Sequence, residues 1–345
     1  MVQGVYDMDS LGFGVIGCGN MGVSLARGTA PLECASVVCV SDVDEGKGRQ
    51  LASDSKCDFE SDYRKMLARE DVDAVLIATP GFLHEEPAIA AAEANVHIFS
   101  EKPMSPTLSG CDRMTRAANE HGVRMGIGLV CRYHPVHRKI RDLATSGKLG
   151  TPTAIMVHRL GGGWGGVWTA EWRMAREKSG GNLMEVNAHE IDFMRFVMGN
   201  VVQVYAVGGQ FVQTKADFPD IALVSLSFAN GSVGVLHSSM ASTLGGYGGR
   251  LDCSEGSITF PSFWGADGGL RYKHHDDDEV VIAASELSTE EDPVTQEIRA
   301  FAEAVLSDQD PPVGPTDGRA ATEIALAAYH SIASDKAVTL PFEES

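Results

Sequence analysis

Basic side chains are scarce in this sequence: 28 lysines and arginines face 47 aspartates and glutamates in 345 residues, a formal net charge of -19. A surface of that sign repels nucleic-acid phosphates and anionic lipid headgroups, so neither nucleic acid nor membrane is expected as a partner. No run of about 18 apolar residues occurs, which leaves no candidate transmembrane helix. The start, MVQGVYDMDS, shows no positive stretch followed by an apolar one, so no secretory leader is expected. Cysteines 18, 34, 39, 57, 111, 131 and 253 are odd in number, scattered and never spaced C-x-x-C. That pattern suggests neither a disulfide framework nor a zinc site, so no metal is expected and a reducing cytoplasm fits. Internal repeats and low-complexity tracts are missing too.

What is present is ordinary globular material, 43% hydrophobic and 22% charged, in a chain long enough for two domains. The first informative stretch is GFGVIGCGNMG, Gly12 to Gly22, an apolar run ending in Gly17, Gly19 and Gly22 at G-x-G-x-x-G spacing. Such glycines serve a tight turn, a close backbone approach to a pyrophosphate, and close packing of helix on strand. Asn20 and Met21 stand inside that turn. A helical pattern and the strand-like SVVCVSD follow, and Asp42 closes that strand. A carboxylate there accepts hydrogen bonds from the adenosine ribose and repels a 2′-phosphate, which favours NAD over NADP.

Strands and helices keep alternating through DAVLIATP, VHIFS and VRMGIGLV. The pattern predicts a doubly wound parallel sheet of Rossmann type over residues 1–131, in which ligands lie beyond the carboxyl ends of the strands. Thr79, Pro80, His84, Glu101, Lys102, Arg132 and Tyr133 fall just past strand ends and become site candidates by position. Lys102 sits between Glu101 and Pro103 in the mouth of the expected dinucleotide site.

After GKLG, Gly147 to Gly150, strand-like segments succeed one another with few helices between them. Alternation in IALVSLSFA and the Asn230-Gly231 pair, expected as a type I′ turn, predict a large open, mainly antiparallel sheet. Residues 132–345 are thus expected as an α+β domain, with a helix near 315–334 packing back towards the first domain. The helix expected over Ser179–Gly199 would cover the sheet and carry Glu185, His189 and Asp192 on one stripe, at i, i+4 and i+7. Glycine-rich GGGWGGVW and GGYGG are expected as loops that bring Trp164 and Tyr247 over a small polar ligand.

Taken in order, these motifs resemble the oxidoreductases grouped with glucose-fructose oxidoreductase, inositol dehydrogenase and MocA. The resemblance runs over nearly the whole chain through GVIGCGNMG, AVLIATPGFLH, SEKPM, the Arg132-Tyr133 pair, EWR at Glu171 to Arg173, SGGNLMEVNAHEID and the NGS hairpin. It implies NAD(P)-dependent chemistry on a sugar or cyclitol, with Trp172 and Arg173 beside the cofactor. It also implies a second-domain sheet that often forms the oligomer interface, hence a homodimer or homotetramer. The family's catalytic lysine falls on Lys102, and its Asp and His on Glu185 and His189, with Asp192 as the following acid. Four positions depart from the pattern: Glu185 replaces the common Asp, Asn187 a small residue, Ser179 the first Gly, and Gly81 the usual Asn.

Oxidation of a secondary alcohol needs a group that takes the hydroxyl proton while hydride leaves the same carbon. Histidine, with an ordinary pKa of about 6.5, suits that task, so His189 is expected as the base, oriented by Glu185 or Asp192. Lys102 would stabilise the developing alkoxide. The candidates for substrate contact are Lys102, Arg132, Tyr133, Trp164, Glu185, His189, Asp192 and Tyr247. Two other readings stay open: glycoside hydrolysis or elimination by transient oxidation on bound NAD, and a non-catalytic NAD-binding sensor.

Overall fold

The apolar run Leu11–Ile16 forms β1, buried along its whole length. A computed structural model describes residues 10–161, 170–213, 215–264, 269–288 and 291–342. After β1 come α1 (Asn20–Thr29), β2 (Ala35–Ser41), α2 (Glu45–Ser55), β3 (Asp58–Glu60), α3 (Tyr63–Leu67), β4 (Ala74–Ile77), α4 (Glu85–Glu93), β5 (His97–Glu101), α5 (Leu108–His121) and β6 (Met125–Gly128). The six strands pair in parallel in the order β3-β2-β1-β4-β5-β6. Order reverses between β1 and β4, which is where a doubly wound sheet opens its ligand crevice. The expected Rossmann sheet is therefore present.

The chain continues with α6 (Pro135–Thr145), β7 (Pro152–Leu160), α7 (Glu171–Met174), α8 (Arg176–Ser179), α9 (Asn182–Glu185), α10 (Ala188–Met198), β8 (Val201–Gly209), β9 (Ile221–Phe228), β10 (Val233–Ser239), β11 (Gly246–Cys253), β12 (Gly256–Phe260), β13 (Leu270–His274), β14 (Val280–Ile282), α11 (Pro293–Leu306), α12 (Pro315–Ser334) and β15 (Val338–Thr339). Nine strands make the second sheet, in the order β14-β13-β12-β11-β7-β10-β9-β8-β15. Among the described residues only β7 and β10 pair in parallel; the remaining neighbours are antiparallel. Along β9, Ala222, Val224, Leu226 and Phe228 are buried while Leu223 and Ser225 are exposed, so one face is covered and the other open.

Three local expectations change. The helix expected over Ser179–Gly199 is interrupted twice. Gly180 and Gly181 take left-handed φ values of 73° and 76°, ending α8, and a second break at Val186 and Asn187 separates α9 from α10. The stretch GGYGG lies in β11 from Gly246 onward rather than in a loop. Glycine is needed there for close packing, since a Cβ on Gly248 would lie 2.4 Å from Phe260 O and one on Gly249 2.4 Å from the Phe260 ring. Finally, Asn230 keeps a negative φ and only Gly231, at 85°, is left-handed. Gly231 N donates to Phe228 O and Phe228 N to Ser232 O, so the hairpin has a three-residue loop instead of a type I′ turn.

The chain divides into two compact units, Met1–Leu129 with Glu291–Arg319, and Val130–Glu290 with Ala320–Ser345. A cut at residue 131 would leave 291–319 in the second half, yet this segment joins the first, for a packing reason. Helix α11 starts at Pro293 behind the N-cap Asp292, whose side chain accepts from Val294 N at 2.9 Å. Its apolar stripe of Ile298, Phe301, Ala302 and Val305 enters the cluster formed by Leu11, Phe13, Leu25 and Phe99. The Phe301 ring meets Phe13 at 6.1 Å and Phe99 edge-on at 5.6 Å. Phe301→Ala should therefore destabilise the protein by about 3–5 kcal/mol, read from urea unfolding. An unchanged midpoint would refute this packing role.

Candidate functional site

The turn from β1 into α1 is shaped to receive a phosphate-bearing ligand. Gly17 has φ 96°, and a Cβ there would lie 2.9 Å from the Ala78 carbonyl; a Cβ on Gly22 would sit 1.9 Å from Gly17 O. Gly19 has nothing within 4 Å of the same position, which leaves the backbone open to close approach. It is also the N-cap of α1 and offers no side-chain cap, so the first-turn N–H groups are presented to an anion at the positive end of the helix. Asn20 and Met21 lie exposed in that first turn. Asp42, just past β2, is fixed by two backbone donors, Cys18 N to Oδ2 at 2.6 Å and Asp44 N to Oδ1 at 2.8 Å. The cations that follow are already engaged, Lys47 with Asp44 at 3.1 Å and Arg49 with Glu45 at 3.1 Å. These residues fit a dinucleotide with a free ribose diol. Burial and Asp42 push the Cys18 thiol up to about 12, which makes it inert as a nucleophile.

At the ends of β4 and β5 the first unit gathers the other positional candidates. Thr79 and Pro80 follow β4, and Thr79 Oγ1 is buried without a hydrogen-bond partner among the described residues. The buried His84 ring bridges two loops, with Nδ1 2.9 Å from Pro103 O and Nε2 2.7 Å from Thr79 O. Burial, assisted by Lys102, lowers its pKa to about 4 against the pull of the two carbonyls, and the neutral ring has one N–H to donate, to Pro103 O or to Thr79 O. The Lys102-Pro103 bond is cis. A Cβ on Gly81 would come 2.9 Å from Pro103 Cγ. Lys102 N donates to Glu101 Oε2 at 3.1 Å, and the buried Glu101 packs against Gly128.

Glu297, a residue missed in the sequence, stands behind Glu101. It is 2% exposed and neither carboxylate oxygen has a partner among the described residues. Burial, then the charges of Glu101 and Asp292, raise its pKa well above the usual carboxylate range.

In the second unit the ionisable residues occupy separate places. Asp192 is fully buried and accepts from Arg132 at 2.9 and 2.7 Å, so these two expected substrate contacts are engaged with one another. Glu185 pairs with Arg173 at 3.1 Å, and the Arg173 guanidinium lies 4.7 Å over the Trp172 ring. Because of the break between α9 and α10, Glu185 ends one helix while His189 begins the next. The His189 ring meets Trp264 edge-on at 5.5 Å, beside the rings of His134 and His137. Burial holds the His137 pKa down near 3. Tyr133 ends the 3-10 turn Val130–Tyr133 and is half-buried. Trp164 lies outside the described residues.

Tyr247 stacks on Phe263 at 4.7 Å and donates its hydroxyl to Glu190, another residue the sequence reading missed. Glu190 is fully buried and also accepts from Arg159 at 3.2 Å and Asn187 Nδ2 at 2.8 Å. A signal was available: Arg159 follows Ile155 and Val157 at strand spacing, placing a charge on the apolar face of β7.

Comparison with known proteins agrees with this geometry. Residues 11–129 match the family model for an oxidoreductase family with an NAD-binding Rossmann fold, and residues 137–259 match the GFO/IDH/MocA C-terminal domain. The chain belongs to this family of NAD-binding oxidoreductases. It is 28% identical over 355 residues to the myo-inositol 2-dehydrogenase of Thermotoga maritima, covering 95% of this chain and 98% of that protein. It is 35% identical over 234 residues to the 2,7-anhydro-N-acetylneuraminate hydratase of Mediterraneibacter gnavus, covering 66% of this chain and only 61% of that relative. A levoglucosan dehydrogenase solved with NADH and levoglucosan shares the fold, with TM-score 0.85, 22% identity and coverage of 96% and 100%.

The raised pKa of Glu297 gives a signed pH effect. Its raised folded pKa means that the unfolded chain ionises first, so native stability is lost as pH rises above the ordinary value of 4.5. Glu297→Gln should therefore melt higher than wild type at about pH 8, with the margin shrinking towards about pH 4. A margin independent of pH would contradict the assignment.

Proposed function

We propose that the protein transfers hydride between NAD and a secondary hydroxyl or ketone of a sugar, sugar derivative or cyclitol. The observation that carries this reading is Lys102 at the carboxyl end of β5, in the same unit as the glycine turn and Asp42. Gly17, Gly19, Asn20 and Met21 would hold the pyrophosphate, and Asp42 the ribose, with NAD favoured over NADP because Asp42 repels a 2′-phosphate and the following cations Lys47 and Arg49 are paired with Asp44 and Glu45. The chemistry the cofactor supplies when bound is hydride uptake and return.

The chain's own residues handle the proton. His189 takes it from the substrate hydroxyl as the carbonyl forms, and returns it in the reverse direction. Lys102 stabilises negative charge developing on the substrate. Glu185, held by Arg173, supports the start of α10 where His189 sits. Asp192 and Arg132 stiffen that helix as a buried ion pair.

A second reading is favoured by the hydratase relative: transient oxidation on a tightly held cofactor, elimination or hydration, then reduction. The two readings separate by product, since only the first accumulates NADH. The decisive experiment is a screen of polyols, sugars and 2,7-anhydro-N-acetylneuraminate with NAD and NADP side by side, following both NADH and substrate loss. His189→Ala should lower kcat by about 10²–10⁴ and Lys102→Ala by about 10²–10³, with NAD binding nearly unchanged. Unchanged turnover in either variant removes that residue from the mechanism, and equal or better rates with NADP overturn the role given to Asp42.

We also infer a homo-oligomer through the open face of the nine-stranded sheet. Met156, Val207, Leu223 and Val233 are each between 42% and 53% exposed on that face, apolar side chains spread over neighbouring strands of the kind that can pair with a copy of the same face. Leu223→Asp should shift light-scattering mass to the monomer; an unchanged mass would locate the contact elsewhere.

A further inference from the structure

The hydrogen bonds around Glu190 run in one direction, and they end on an atom with nothing to bond. Ion-paired with Arg159, the Glu190 carboxylate only accepts, which turns the NH₂ of Asn187 towards it. The carbonyl oxygen of Asn187 must then face the other way, where it accepts from Ser238 Oγ at 2.6 Å. Ser238, having given its proton, accepts from Asn182 Nδ2 at 2.6 Å. That fixes the Asn182 amide as well. Its remaining atom, Oδ1, is buried and has no partner among the described residues. Flipping this amide would set an oxygen against an oxygen at Ser238, so the orphan acceptor is a consequence of the charge on Glu190.

Asn182 lines a cavity of about 100 Å³ in the second unit, together with Arg159, Val186, Ser238, Ser239 and Met240. That is room for roughly three waters by liquid volume. The lining is chemically mixed. Asn182 Oδ1 requires a donor. Ser239 Oγ already accepts from Ala241 N at 3.3 Å and Ser242 Oγ at 2.7 Å, so its own proton is available to an acceptor. Val186 and Met240 supply apolar surface. The Arg159 charge is matched by Glu190, so the cavity does not select an anion. One donor, one acceptor and one small apolar group is the complement of this lining. A secondary amide ending in a methyl group provides all three.

We propose that this cavity is the subsite for the acetamido group of an N-acetylated sugar. The amide N–H meets Asn182 Oδ1, the carbonyl meets the Ser239 hydroxyl, and the methyl lies on Val186 and Met240. The assignment rests on the reading above that the protein works on sugars. It fits that reading in sequence as well, because Asn182 and Val186 belong to the same short segment as Glu185 and His189.

The test compares matched pairs with NAD: N-acetylglucosamine against glucose, N-acetylmannosamine against mannose, and 2,7-anhydro-N-acetylneuraminate against its N-deacetylated form. Substrate loss is followed, and calorimetric binding is measured on the NADH-loaded protein. At least one acetamido sugar should exceed its partner by about tenfold or more in kcat/KM and in affinity. Met240→Phe, which fills the cavity, and Ser239→Ala, which removes the donor, should each bring that ratio down towards one, while the partner sugar changes little. A ratio near one for every pair in the wild type, or one that survives both substitutions, overturns the proposal. Selective binding without turnover would uphold the subsite and sink the redox reading; turnover without selectivity would do the reverse.

Discussion

A carboxylate without water is the constraint around which the second unit is arranged. Glu190 has no exposed surface, and an ion of that kind survives only where donors surround it. Those donors come from three places in the chain: Arg159 on β7, Tyr247 on β11 and Asn187 at the break between α9 and α10. One buried charge thus ties a helix start to two strands nearly 90 residues apart in sequence, as the 88-residue separation of Arg159 and Tyr247 records. It explains why Tyr247 cannot sit on a free loop. It also explains why the chain is broken at Asn187, whose side chain must turn inward to serve two neighbours at once.

The first unit was largely legible in the sequence because its signals are local. The G-x-G-x-x-G spacing of Gly17, Gly19 and Gly22 and an acid at the end of the next strand, Asp42, are readable from residue type and position, although Gly17 packs against Ala78 and Asp42 holds Cys18. The alternation of apolar runs and helical patterns carried the rest of that sheet. Helix α12 was equally plain, running over Pro315–Ser334 as its periodicity indicates.

What escaped depends on contacts between distant segments. The helical period of Met184, Ala188 and Ile191 continues through Ser179–Gly199, but the backbone does not: left-handed Gly180 and Gly181 end α8 before the stripe begins, and the chain breaks again at Val186 and Asn187 within it. Asp192 and Glu185 looked equivalent on that stripe, and only Arg132 and Arg173 distinguish them. Glu297 was hidden for a different reason. In the sequence it is one more acid on an amphipathic helix, and nothing local tells that α11 returns to the first unit and sets it behind Glu101. A charge at an apolar strand phase, as at Arg159, was the one such feature open to notice.

The return of α11 has a bearing on how the protein is made. Phe13, Phe99 and Gly126 belong to the first 129 residues, but the aromatic ring that packs on them is Phe301. A ribosome that has finished β6 still has well over a hundred residues to synthesise before α11 emerges, roughly ten to thirty seconds at ordinary elongation rates. During that time the apolar surface that Phe301 and its helix will cover stays open. The amino-terminal unit therefore reaches its final core only after most of the second sheet has been translated, so nascent-chain protection is a requirement built into the order of its elements.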